Sequence, residues 1–263
     1  MSALAQALNT LVDDYWDNSF FAQVSPSHPL TWLEFYNYHD PQKKYYLPLA
    51  LFNPDFFATK LNRDQLDCSD MFFYSSNTGS AIGASFDEAL VHSIGELIER
   101  DSLSRFLQHV FLHKTTPVDI IEQSTMPRHL QALMADVAAA TNNELVLYNL
   151  KSDLAGFYAF GAQFLNYEKR FMPYYGHGCS INPAYAAERA ILEAKQIRDA
   201  NLAMTTQDFQ QQMRHLSDFP ALLDCARSDV LQCIEAKRVK FTAFPTPPPQ
   251  WHSLNAIKKC VLS

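Results

Sequence analysis

The sequence predicts an α+β fold in which long helices cover a mostly antiparallel sheet. Residues 85–105 and 183–201 carry the caps and apolar periodicity of two long helices. Between them, ELVLYNL at 144–150 and GFYAFGAQFL at 156–165 have the composition of strands. Strands lying between helices in this way are typical of a layered α+β domain. We expect this fold to be incomplete at both ends.

Composition excludes two classes of partner. At 263 residues with 48% hydrophobic residues, the chain can bury a sizeable core. A net charge of −7 argues against nucleic-acid binding, which requires a basic patch that meets phosphates. The longest apolar-leaning run without charge, residues 154–167, is shorter than the ~20 residues of a transmembrane helix. We therefore expect neither a nucleic-acid nor a membrane partner.

The cysteines predict a reducing compartment. There are five, an odd number, and none has CxxC spacing. Free thiols in a cytoplasmic protein fit this pattern better than disulfides or a zinc site. Cys179 is expected to be a small buried thiol rather than a nucleophile, because the sequence indicates no residue that would act as a base to deprotonate it. The scattered histidines, including His177, are expected at the surface or in turns.

Three regions are predicted along the chain. Residues 1–70 are helical or irregular, residues 71–201 form the core with two acidic helices, and residues 202–263 are helical and proline-rich. Further elements are predicted as helices at 3–20, 127–141, 206–216 and 253–262, and as strands at 45–52, 71–74 and 171–175. A small-residue turn, GHGCSINP, is expected after the last strand, and 241–250 is expected to be a linker that is neither sheet nor helix.

The first long helix has a well-marked start and an acidic outer face. Ser85 and Glu88 form a capping box, and Glu96, Glu99 and Arg100 lie opposite the apolar stripe. On a solvated face such pairs would contribute only ~0.3–0.5 kcal/mol each. Gly95 within the helix suggests close packing there, and the preceding turn SSNTGSAIG offers N–H groups to an anion.

A shift of 97 residues aligns the two long helices. The N-cap Ser85 falls on Asn182, Glu96 falls on Glu193, and Glu99 falls on Gln196. Both an internal symmetry and a chance match between amphipathic helices explain this alignment. If the helices face each other, three carboxylates and one amide converge, and a hard divalent ion such as Mg²⁺ is their natural partner.

A phosphate ligand would complete such a site. Arg100, Arg189 and Arg198 are the cations available to meet phosphate oxygens. No Walker A sequence occurs in the chain, so an ordinary P-loop is excluded. The residues alone therefore predict a Mg²⁺-phosphate site as one interpretation and two solvated acidic faces as the other.

Two motifs resemble those of the YcaO family. SSNTGSAIGASFDEALVHSIGELIERDS, at 75–102, is similar to its central motif, and RAILEAKQIR, at 189–198, is similar to its second motif. They occur in the family's order with a β-rich segment between them. The resemblance covers about 71–201; the family's earlier Glu-rich helix motif is not recognisable in 1–70, and the family's C-terminal tail is not recognisable here.

The resemblance implies ATP and Mg²⁺ as cofactors and an ATP-dependent cyclodehydratase-type activity. Such proteins phosphorylate a backbone amide oxygen of a ribosomally made peptide, with an azoline, thioamide or amidine as product. The metal ligands would be Glu96, Glu99 and Glu193. The ATP-binding residues would be Ser76, Asn77, Glu96, Arg100, Glu193, Gln196 and Arg198, with Arg100 and Arg198 either contacting phosphate or orienting the motifs.

Partners and alternatives follow from the same resemblance. The expected partners are a precursor peptide, a leader-peptide-binding or E1-like protein, and a second copy of the chain. One alternative is a catalytically incomplete YcaO-like protein that binds a peptide or partner. Another is an accessory factor for methylthiolation of a ribosomal protein.

Overall fold

The computed structural model describes residues 31–37, 40–49, 76–166, 173–202, 204–214, 216–217, 219–227, 229–230 and 236–245. The chain forms two compact units, Met1–Asn77 and Thr78–Ser263. The elements predicted at 3–20, 71–74 and 253–262 lie outside the described residues. The three-region division at 1–70, 71–201 and 202–263 stays a prediction.

The first unit contains a β-hairpin. Strand β1 (Trp32–Tyr36) pairs antiparallel with β2 (Lys44–Pro48), and Trp32 lies opposite Pro48. Glu34 connects the two strands, because it accepts a hydrogen bond from the Tyr46 hydroxyl at 2.6 Å and pairs with Lys44 at 3.2 Å. The strand predicted at 45–52 is thus present in shorter form, with Pro48 at the end of a strand in a two-stranded sheet.

The second unit is built from long helices and a five-stranded sheet. Its helices are α1 (Phe86–Phe106), α2 (Arg128–Thr141), α3 (Pro183–Asn201), α4 (Thr206–Arg214) and α5 (Pro220–Ala226), with a π-helical turn at Leu107–Leu112 that extends α1. Its strands are β3 (Val118–Glu122), β4 (Leu145–Asn149), β5 (Tyr158–Phe164), β6 (Tyr175–Ser180) and β7 (Ala236–Lys240). In this part of the chain no helix has the length and apolar character needed to cross a membrane.

The sheet has the order β6-β5-β4-β3-β7. Every neighbouring pair is antiparallel except β3 and β7, so the predicted mostly antiparallel sheet is confirmed. One face packs against α2 and α3, with Leu130, Phe160 and Ile191 fully buried between them. The other face packs against α1 and the π-helical turn through Phe106, Val110 and neighbouring residues. The second unit is therefore a three-layer α/β/α sandwich.

Local capping explains where the two long helices begin. The Ser85 hydroxyl accepts from the Glu88 N–H at 3.2 Å, and the Glu88 carboxylate accepts from the Ala84 N–H at 2.9 Å. In α3 the Asn182 side chain accepts from the Ala184 N–H at 2.9 Å. These hydrogen bonds satisfy backbone N–H groups at the helix starts that have no acceptor within the helix. Both helices start where the sequence predicted, and the 97-residue shift between their starts is preserved.

Of the strand predicted at 171–175, residues 171–172 lie outside the described residues and 173–174 are not part of a strand, and the turn predicted at GHGCSINP is wrong for residues 176–180. Tyr175–Ser180 is strand β6, and Gly176 and Gly178 lie within it. These glycines permit a close approach rather than a turn. An added Cβ would lie 2.1 Å from the Ala194 nitrogen at Gly176 and 2.2 Å from the Ala186 oxygen at Gly178. Any side chain at either position would push α3 away from the sheet.

Several described elements have no counterpart in the sequence prediction, among them strands β1, β3 and β7, helix α5 and one 3₁₀ turn. The short strands β3 and β7 pair in parallel, and β7 (AKRVK) is mostly exposed and lacks an apolar run. Phe241–Ala243 forms a 3₁₀ turn within the predicted linker. Phe241 is buried there and stacks on Phe160 with ring centroids 5.9 Å apart. Its burial depends on residues far away in sequence, which local propensity cannot reveal.

Replacing two glycines by alanine should have opposite effects on stability. Gly178→Ala should lower the free energy of unfolding by about 1–3 kcal/mol, because the methyl group overlaps the α3 backbone. Gly95→Ala should raise it by about 0.5–1 kcal/mol, because an added Cβ would lie at an ordinary 3.8 Å from the Cys179 oxygen and alanine favours the helix. Urea unfolding followed by circular dichroism measures both. Equal stability of the Gly178→Ala and wild-type proteins would contradict the close contact.

Candidate functional site

The acidic residues of the two long helices meet beside strand β6. This strand is an outer strand of the sheet among the described residues, and both α1 and α3 pack against it from opposite faces. Glu99 comes from α1 and Glu193 comes from α3. The predicted convergence of the two helices therefore occurs past the edge of the sheet, where their side chains can reach each other.

Glu99 is the most buried of these carboxyl groups. Only 2% of the residue is exposed. Burial raises the pKa of Glu99 to about 7, and the negative charge of Glu193 adds to that effect. The Arg100 guanidinium, 4.0 Å from the Glu99 carboxylate, acts in the opposite direction. The fold therefore holds the Glu99 carboxyl group where the neighbouring arginines only partly stabilise its charged form.

The pKa of Glu193 is also subject to opposing effects. Burial raises its pKa, while Arg100, Arg189 and a hydrogen bond from the His177 backbone N–H lower it. The backbone contact is possible because His177 lies on an outer strand, whose peptide groups are available for partners outside the sheet. Glu193 is thus oriented by the strand itself.

Glu96 completes the acidic group and is held by the turn before α1. Its carboxylate accepts from the Gly79 N–H at 3.3 Å, and the Ser93 hydroxyl donates to the Gly79 carbonyl. Gly79 has a φ of +83°, which favours glycine at this position. The charge of Glu96 raises the pKa values of both Glu99 and Glu193. The three predicted metal-ligand residues are therefore neighbours.

The other predicted site residues have different surroundings. Arg100 lies beside Glu99, whereas Gln196 is exposed on α3. Arg198 donates to the Thr141 carbonyl at 3.1 Å and lies 5.8 Å from the Phe164 ring centroid, so it connects α3 to the end of α2. Their roles in ATP binding stay predictions. Ser76 and Asn77 belong to the first unit, and their role likewise stays a prediction.

A cleft of about 400 Å³ adjoins the acidic residues. Arg100, His177 and Glu193 form a polar part of its wall. The rest of the lining is mostly apolar or aromatic and consists of Leu103, Pro173, Tyr174, Tyr175, Ile197, Asn201, Met204 and Phe209. Its size and mixed lining suit a small organic ligand with one charged end.

His177 contradicts the expectation that the histidines are surface or turn residues. It is only 3% exposed, and burial together with the charge of Arg100 lowers its pKa to about 3. The sequence contains one signal for this burial, the two glycines that flank His177. Their spacing indicates a strand face packed against a helix only once the segment is known to be a strand. Cys179, two residues further on, is buried as expected. Burial raises the pKa of its thiol to about 12, so it is not an activated nucleophile.

The acidic group has the donor chemistry that Mg²⁺ prefers. Carboxylate oxygens are hard ligands, and buried carboxylates that raise one another's pKa values gain from a cation. No set of three or more His, Cys, Asp or Glu residues in the described ranges is spaced to hold a metal ion by itself. Mg²⁺ commonly takes one or two carboxylates together with water and phosphate oxygens. Glu99 and Glu193 can meet that requirement.

Comparison with known proteins identifies a family. The family model described as YcaO cyclodehydratase, ATP- and Mg²⁺-binding, matches residues 3–261. No curated protein sequence matches the chain.

Several solved structures share the fold. YcaO from Methanopyrus kandleri, bound with AMPPCP and Mg²⁺, aligns with a TM-score of 0.56 and 19% identity over 91% of this chain and 57% of its own. The heterocyclase TruD aligns with a TM-score of 0.52 and 22% identity over 88% of this chain and 30% of its own. A heterocyclase in complex with substrate and cofactor aligns with a TM-score of 0.54 and 18% identity over 88% of this chain and 29% of its own. The chain thus spans about a third to just over half the length of these structures.

The raised pKa of Glu99 predicts a pH-dependent loss of stability. An unfolded glutamate ionises near 4.5, whereas the folded Glu99 ionises near 7, so the contribution of Glu99 to wild-type stability should fall between these pH values. Glu99→Gln should remove that fall and raise the free energy of unfolding at pH 8 by about 1–3 kcal/mol. Urea unfolding at pH 5 and pH 8, with a chelator and without nucleotide, measures the difference.

The control for this comparison is Asp136→Asn, on an exposed position of α2. It should leave the pH dependence of stability unchanged. The same pH slope in the wild-type and Glu99→Gln proteins would contradict the proposed burial of an uncompensated charge.

Proposed function

Because this chain belongs to the YcaO family, we propose that it binds ATP with Mg²⁺ beside β6 and activates a backbone amide of a ribosomally made peptide. The observation that carries the proposal is the convergence of Glu96, Glu99 and Glu193 next to a cleft of about 400 Å³. Such a group of poorly compensated carboxylates is suited to a bound cation.

In this proposal Glu99 and Glu193 hold Mg²⁺, with Glu96 as the third acidic residue. Bound Mg²⁺ and ATP supply a phosphoryl group whose negative charge the metal partly neutralises. Arg100 and Arg189, whose charges already act on Glu99 and Glu193, meet phosphate oxygens. Phosphoryl transfer depends mainly on such positioning and charge stabilisation, which requires no covalent step on the protein.

The peptide supplies the nucleophile. The thiol or hydroxyl of a Cys, Ser or Thr side chain loses its proton and adds to the carbonyl carbon of the preceding amide, which closes the ring. ATP phosphorylates the former carbonyl oxygen and becomes ADP. That oxygen then leaves as phosphate while the ring nitrogen loses its proton and the C=N bond of the azoline forms. Cys179 takes no part, because its thiol is buried and its raised pKa keeps it protonated. The residues of the chain therefore act by holding and orienting. The Methanopyrus kandleri YcaO is bound with AMPPCP and Mg²⁺, which supports ATP and Mg²⁺ as the ligands in this proposal.

A second candidate function is binding without catalysis. Arg198, a residue of the second motif, donates to the Thr141 carbonyl, a contact that serves the packing of α3 on α2 rather than a nucleotide. A catalytically incomplete protein of this kind would hold a peptide or a leader-peptide-binding or E1-like partner. An accessory role in methylthiolation of a ribosomal protein belongs to the same class.

Nucleotide binding tests the proposal directly. The wild-type protein should bind ATP in the presence of Mg²⁺ and lose that binding when Mg²⁺ is chelated. Glu99→Gln and Glu193→Gln should each weaken binding at least about tenfold, because each removes a charged ligand of the metal. Isothermal titration calorimetry measures the dissociation constants.

The matched control is Glu188→Gln on the same helix as Glu193, which should bind Mg²⁺ and ATP like the wild type. Unaltered nucleotide binding in both the Glu99 and Glu193 variants would refute the assigned site. Binding of Mg²⁺ and ATP without turnover, even with candidate precursor peptides and partner proteins added, would favour the non-catalytic alternative.

A further inference from the structure

His177 has an unsatisfied polar atom at the centre of the candidate site. Its side chain is buried, and Nε2 has no hydrogen-bond partner among the described residues. Buried polar atoms are nearly always paired, because an unpaired one loses its hydration without replacement. An unpaired atom beside a cleft therefore points to a ligand that completes it.

The position of the imidazole follows from the geometry of β6. Gly176 and Gly178 face α3, and side chains alternate along a strand, so His177 lies on the opposite face. It lines the 400 Å³ cleft together with Arg100 and Glu193. Arg100 is close enough to lower the pKa of the imidazole. The ring thus lies near the Arg100 cation, and its centroid is 5.4 Å from that of the Tyr175 ring.

The imidazole can offer one directed hydrogen bond there. Nε2 can carry an N–H, and it has no hydrogen-bond partner among the described residues. A hydrogen-bond donor beside the Arg100 cation is complementary to an anionic oxygen and adds direction to the contact. The proposed function places phosphate oxygens next to Arg100.

We propose that His177 donates a hydrogen bond from Nε2 to a phosphate oxygen of the nucleotide in this cleft. The contact positions the phosphate chain against Arg100 and the carboxylate-bound metal. This inference rests on the proposed function, since it requires the nucleotide to occupy the cleft.

A structural role is the competing explanation. His177 also lines a smaller cavity of about 30 Å³, together with Tyr148, Gln163 and Val230. This space could hold a single ordered water molecule that satisfies Nε2. In that case the imidazole would contribute to folding, and its replacement would leave nucleotide affinity unchanged.

The test compares two polar replacements that differ in reach. Glutamine extends an amide N–H close to the position of Nε2, whereas asparagine reaches only the position of Nδ1. His177→Asn should bind Mg²⁺ and ATP about tenfold more weakly than the wild type, and His177→Gln should stay within about threefold. His177→Phe, which keeps the ring shape without either nitrogen, should match His177→Asn. Calorimetry on the full chain gives the affinities, and thermal melting without ligand reports folding separately.

Cys179→Ala is the matched control, because Cys179 lies on the same face of the same strand but does not line the cleft. Its nucleotide affinity should equal that of the wild type. Wild-type affinity in folded His177→Asn or His177→Phe would overturn the inference and favour the water-bridged role, as would equal losses in the Gln and Asn variants. A wild-type protein that binds no Mg²⁺ and ATP would instead overturn the proposed function itself.

Discussion

The close approach of α3 to strand β6 determines the geometry of the candidate site. Gly176 and Gly178 present bare backbone to a helix whose facing residues are the small, fully buried Ala186, Ala190 and Ala194. A Cβ atom at either glycine would overlap the backbone of this helix, so the close approach depends on both glycines. This contact places Glu193 beside β6, where its carboxylate accepts a hydrogen bond from the His177 backbone N–H.

The opposite face of the same strand positions the second acidic helix. Gly95 of α1 is buried near the Cys179 carbonyl, and Glu99 lies one turn further along the helix. One edge strand therefore sets the separation of two helices that lie in different layers. Their carboxylates can interact only because the strand has no neighbour on that side in the described sheet.

This arrangement is costly without a ligand. Burial raises the pKa values of Glu99 and Glu193, and the charge of Glu96 adds to both effects. Arg100 and Arg189 compensate only in part. Proteins tolerate buried, partly compensated charges at sites where a ligand neutralises them. The same electrostatics that raise the pKa values of Glu99 and Glu193 therefore favour a bound cation with phosphates. His177 and Cys179 share this neighbourhood, yet only His177 opens onto the cleft.

The sequence by itself determined where the two long helices begin and which acidic residues they carry. Caps at Ser85 and Asn182 and apolar periodicity act over a few residues, so they can be recognised without a fold. The 97-residue shift and the family motifs then paired Glu96 and Glu99 with Glu193. Their convergence was predicted as a consequence of two helices facing each other.

Only the tertiary structure decided how that convergence is achieved and which other residues join it. Gly176 and Gly178 resemble turn glycines in sequence, and their role appears only when the backbone of α3 lies against them. The strands β3 and β7 depend on each other across more than a hundred residues, and Arg198 depends on Thr141 and Phe164. His177 became a candidate for the same reason: burial and an absent partner are properties of packing, which residues distant in sequence create.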